Sequence, residues 1–136
     1  MIRTTFAVLF AAAVGAMSAA HLIAHHSLQA EFDEKKALTL TGVVSKIEWV
    51  NPHVYLYLDV TDKSGKLTTW SVETFPPGTL RRGGLTKEKL GIGQHVTMLA
   101  FAARNGTKLA FLRKITFDDG RELIIWLGDI EKASRQ

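Results

Sequence analysis

Three histidines offer the most chemistry in this chain: His25 and His26, adjacent near the amino terminus, and His53, which follows Asn51-Pro52. Imidazole nitrogens bind Cu(II) and Zn(II). A chain cut so that His25 comes first would add its free α-amine, giving a set of nitrogens suited to the tetragonal preference of Cu(II). The plainer alternative is a solvated His-His pair and a strand-ending turn. Glu31, Asp33 and Glu34 could supply oxygen ligands or accept a histidine N–H. The run Glu31-Phe32-Asp33-Glu34-Lys35-Lys36 reads better as a solvated approach segment pinned by Phe32.

A second constellation comes from two alternating segments. His53, Tyr55, Tyr57 and Asp59 share one phase between Val54, Leu56, Leu58 and Val60; Thr69, Ser71 and Glu73 share one phase around Trp70 and Val72. If the segments are neighbours, Tyr55, Tyr57, Ser71 and Glu73 line one surface, able to stack on a sugar or planar ligand and hydrogen-bond its edge. Simple cross-strand tyrosine packing is the competing reading. Glu48 would join Glu73 as a carboxylate pair only if the fold brought them together. His95 reads as an ordinary surface residue.

The elements that must position these groups are short strands. A first strand is expected over 38–49, with a phase change at Gly42 that puts Leu38 and Leu40 inward, then Val43, Ile47 and Trp49. Strands follow over 53–60 and 67–74, joined by the Asp62-Lys63-Ser64-Gly65 hairpin. Pro77 opens one helical turn through Arg82, and Thr86–Leu90 forms another. Gly83-Gly84 and Gly91-Ile92-Gly93 are turn residues. Strands over 94–103, 109–117 and 121–126 are separated by Asn105-Gly106 and Asp119-Gly120. This order predicts an all-β fold with one or two short helical turns, a small five- to six-stranded OB-like barrel; an open sandwich is the alternative.

Composition bounds the rest. With 136 residues, 46% hydrophobic and 22% charged, one domain is expected. Met1-Ile2-Arg3, the uncharged run Phe6–Ala16 and the small residues after it match a secretory signal peptide, cut after Ala20 or Ala24. An uncleaved anchor is the alternative. We therefore expect a signal peptide over 1–24, an arm over 25–37, the barrel over 38–127 and a polar tail over 128–136, in the periplasm, with no membrane span after cleavage. The pI of about 9.5 reflects scattered charges, with basic pairs only at Lys35-Lys36, Arg81-Arg82 and Arg113-Lys114, so no nucleic-acid partner is expected. The lack of cysteine excludes disulfides, thiolate nucleophiles and iron–sulfur clusters. There is no Gly-x-Ser-x-Gly elbow, phosphate-binding Gly-rich loop or His-Glu-x-x-His helix, so enzymatic activity is not expected.

Ala24-His25-His26-Ser27, Glu31-Phe32-Asp33, Leu40-Thr41-Gly42-Val43-Val44, Ile47-Glu48-Trp49, Asn51-Pro52-His53-Val54, Trp70-Ser71-Val72-Glu73 and Asp119-Gly120-Arg121 together resemble an exported bacterial family, domain of unknown function 6152. The resemblance covers most of 24–123 and implies export, with a mature chain starting at or beside the paired histidines. It implies no activity. The chain departs from the family at Leu28, where an aromatic is common, and in the inserted Ala19-Ala20-His21-Leu22-Ile23 stretch.

Two functions are therefore expected in competition. One is a binding module for a metal ion (copper or zinc) or small ligand near His25, His26 and His53. The other is a protein- or glycan-interaction module, with an envelope partner, using Tyr55 and Tyr57.

Overall fold

The computed structural model describes residues 28–126, and the chain divides into two units after Glu31. Of the first unit, one helical turn over 28–31 is described. The expected signal peptide, His25, His26 and the polar tail lie outside the described residues. The second unit begins at Phe32 and holds all of the strands.

Its elements are β1 (Phe32–Glu48), β2 (Tyr55–Thr61), β3 (Leu67–Glu73), α1 (Pro77–Arg82), β4 (His95–Ala103), β5 (Leu109–Phe117) and β6 (Glu122–Ile124). The hydrogen-bonded order is β3-β2-β1-β4-β5-β6, and β3 also pairs with β5. That last seam is parallel, with Ser71 opposite Leu109, Val72 opposite Ala110 and Glu73 opposite Phe111; the other pairings are antiparallel. The circuit β1-β2-β3-β5-β4-β1, with α1 between β3 and β4, is that of an OB-type barrel, and closing it leaves no free edge among its five strands. Among the described residues no helix is long and apolar enough to cross a membrane.

The inward phases of β1 to β5, with Val54 just ahead of β2, build the core: Leu40, Val44, Val54, Leu56, Leu58, Val72, Val96, Met98, Ala100, Ala110, Leu112 and Ile115. The connector between β3 and β4 contributes Leu80, Leu85 and Leu90 to the same core. Helix α1 has Pro77 in its first turn, Arg81 and Arg82 in its last, and Gly83 at its C-cap. Leu85 N–H then donates to Leu80 O at 2.9 Å, so the chain turns back at once.

Strand β1 serves both neighbours, pairing with β4 from Phe32 to Val43 and with β2 from Val43 to Glu48. Gly42 sits at the changeover, where a Cβ would lie 2.1 Å from the Asp59 carbonyl oxygen, so only glycine allows that approach. The phase change itself falls later than expected. Val44 is fully buried while Val43 is 40% exposed, and the register slips between Val44 and Lys46. Ser45 is thus the bulged residue, and Val43 is corrected from core to surface. Strand β1 also begins at Phe32, ahead of the expected Leu38, with a second irregularity between Asp33 and Ala37.

A bulge in β5 leaves Arg113 opposite no residue of β4. Its carbonyl accepts the N–H groups of Ile125 at 2.7 Å and Trp126 at 3.0 Å. Trp126 meets Phe101, Phe111 and Phe75, and Phe32 meets Phe111, forming an aromatic cluster of its own. Phe101 and Phe111 alternate with core residues, so here the barrel wall is buried on both sides.

Candidate functional site

The Ser45 bulge decides what the outer face of β1 shows. After it, Lys46 stands opposite Tyr57 and Glu48 opposite Tyr55. Across β2, Tyr55 faces Glu73, Tyr57 faces Ser71 and Asp59 faces Thr69. Two rows result, Glu48–Tyr55–Glu73 and Lys46–Tyr57–Ser71, with Asp59–Thr69 beyond. Tyr55, Tyr57, Ser71 and Glu73 therefore share the outer face of β2 and β3, while Glu48 and Glu73 flank Tyr55 from opposite strands, with strand axes about 10 Å apart. The carboxylate pair is separated by a tyrosine.

The middle of the face is internally bonded. Tyr57 Oη donates to Glu48 Oε2 at 2.8 Å, Lys46 Nζ donates to Glu48 Oε1, and the ammonium lies 4.9 Å from the Tyr57 ring centroid. The hydrogen bonds from Lys46 and Tyr57 hold the Glu48 carboxyl below its ordinary range. The hydrogen bond to Glu48, with partial burial second, pushes the Tyr57 phenol up. Asp59 Oδ1 accepts from Thr69 Oγ1 at 2.6 Å and Ser45 Oγ at 3.1 Å. Tyr55, Tyr57 and Ser71 are half-buried.

At the end of the face stands His53, after a cis Asn51-Pro52 bond. Its Nδ1 contacts Glu73 Oε1. Glu73 was expected to be open to solvent but is only 5% exposed: it keeps its phase, but lies on the β3–β5 seam opposite Phe111 and carries His53 on its carboxylate. Among the described residues no group of three His, Cys, Asp or Glu side chains is placed to hold a metal ion. His95 pairs through Nδ1 with Asp118 Oδ1 at 2.8 Å, a partner 23 residues away that sequence reading missed. Lys46 and Glu48 were missed as parts of this face for a simpler reason. Val43-Val44 followed by Ser45-Lys46 hides a phase slip whose position only the pairing with β2 fixes.

The family of unknown function DUF6152 matches over residues 12–111. Among curated proteins, no sequence matches this chain. Among solved structures, the mitochondrial single-stranded DNA binding protein Rim1 from S. cerevisiae is 14% identical, with a TM-score of 0.47 over 65% of this chain and 96% of that one. The N-terminal domain of PriB from Thermoanaerobacter tencongensis is 17% identical, with a TM-score of 0.44 over 62% and 97%.

Proposed function

The chain belongs to the DUF6152 family of unknown function, and on that premise we propose an exported, periplasmic, non-enzymatic binding module whose ligand surface is the outer face of β1–β3. The observation that carries this is the register placing Tyr55 between Glu48 and Glu73, beside Tyr57 and Ser71. Half-buried phenol rings offer flat apolar area with a polar edge. The Glu48 and Asp59 carboxylates keep acceptor lone pairs beyond the bonds they already make, which suits a neutral ligand rich in hydroxyl groups, and we assign a glycan. Glu48, Asp59 and Glu73 against Lys46 alone give this face the wrong charge for a phosphate backbone. Export rests on the charged start, apolar run and small residues of 1–24. The test is a glycan array probed with the wild type and with Tyr55→Ala/Tyr57→Ala. Neutral oligosaccharides are expected to capture the wild type and to lose the variant, which remains folded by circular dichroism at the assay temperature; no captured glycan, or equal capture of the variant, overturns the proposal.

The His53–Glu73 contact favours a second reading, a metal ion at His53. Metal-bound histidines commonly give their other ring N–H to a carboxylate, which fixes the ring and raises its basicity. With Nδ1 committed to Glu73, Nε2 is the ligating nitrogen. Calorimetric titration of the full chain with Cu(II) and with Zn(II) tests it. His53→Ala should abolish binding and Glu73→Gln should weaken it about 10–100-fold. A separate chain with His25→Ala and His26→Ala reports whether those residues add ligands. Unchanged affinity in His53→Ala removes this reading.

A further inference from the structure

A cleft of about 280 Å³ is lined by Trp49, Pro77, Arg81, Thr86, Lys87 and Glu88, none of which belongs to the tyrosine rows. Its walls follow from the connector's burial pattern. Leu80, Leu85 and Leu90 are anchored in the barrel core, which leaves the intervening Arg81 and the turn at Thr86–Glu88 on the rim. Trp49, the residue after β1, packs against the same core and is half-buried, so it presents a fixed indole to the cleft.

Many cations elsewhere on the barrel are engaged by neighbours, although exposed lysines such as Lys63 and Lys89 are not, and those two do not line this cleft. Lys46, Lys114, Arg121 and Arg104 each pair with a carboxylate, and Lys108 and Arg113 lie over aromatic rings. The Arg81 and Lys87 side chains make no hydrogen bond or ion pair to any described residue. Glu88 is occupied: the Thr86 side chain, its own backbone and the charges of Lys87 and Arg81 hold its carboxyl below the usual range. Two cations, which act on Glu88 through charge without a hydrogen bond or ion pair, against that one carboxylate give the lining a net charge of +1.

We infer that this cleft binds a small organic monoanion, a single-ring carboxylate whose ring lies on Trp49 and whose head group meets Arg81 and Lys87. The class follows from the lining. Guanidinium and ammonium donors match a carboxylate, indole accepts a flat ring, Glu88 repels polyanions, and a volume just below the usual range of about 300–1,000 Å³ for ligand pockets limits the occupant to a small molecule.

The probe is sodium benzoate, titrated into the ¹⁵N-labelled full chain and followed by amide and indole N–H shifts. Saturable shifts are expected at the Trp49 indole and at Arg81 and Lys87. Acetate, which lacks the ring, and benzyl alcohol, which lacks the charge, should each bind at least about tenfold more weakly. Arg81→Gln/Lys87→Gln, surface changes that leave the leucine anchors in place, should cost a similar factor for benzoate. Tyr55→Ala should leave benzoate binding intact, which separates this site from the glycan face. Absent shifts at Trp49, equal binding of benzyl alcohol, or full affinity in the double variant would each overturn the assignment.

Discussion

Glu48 is where charge, hydrogen bonding and strand register meet. It accepts from Lys46 and from the Tyr57 hydroxyl, and both favour its ionised form. A carboxyl whose folded pKa is depressed contributes stability above its unfolded value, here near 4.5, and loses it as pH falls through the folded value. Removing one donor must return part of the shift. In Tyr57→Phe, an NMR titration of Glu48 should therefore show its midpoint moving up toward 4.5, with the acid unfolding transition slightly higher in pH. An unchanged midpoint would mean that Lys46 alone sets it. At this scale the sequence was only half legible. Tyr55, Tyr57, Ser71 and Glu73 follow from plain alternation, and the structure puts them on one face. Glu73's burial was hidden, because it arises from a parallel partner 38 residues away in β5.

The strands show which patterns carry information and which do not. From Val54 to Leu58 the alternation is clean, because one face meets the core and the other is half-open. Strand β1 defeats the same reading at Val43-Val44, since either valine could face inward and the choice depends on where the chain bulges. Segments such as Phe101-Ala102-Ala103 and Ala110-Phe111-Leu112 are buried throughout, and no period of two shows where both faces are covered. Phe32 belongs to that second layer, 1% exposed and 5.5 Å from Phe111 between ring centroids. Phe32→Ala should cost about 3–5 kcal/mol by urea unfolding, the range for a large core aromatic. A loss below about 0.5 kcal/mol, the size of a surface change, would show that the start of β1 is dispensable and that Phe32 only pins an approach segment.

For the whole molecule, the order of strands and turns predicted the barrel, and the closing β3–β5 seam completes it. Closure also shapes the tyrosine face. Joining β3 to β5 places Glu73 at the seam, while the Ser45 bulge turns Lys46 and Glu48 outward, so two departures from regular pairing frame the tyrosines between them. The most direct measurement is amide chemical-shift mapping of the full chain with the neutral oligosaccharide that binds best on the array. Saturable shifts centred on Glu48, Tyr55, Tyr57, Ser71 and Glu73, lost in Tyr55→Ala, are the predicted result; shifts centred on any other face of the barrel would contradict it.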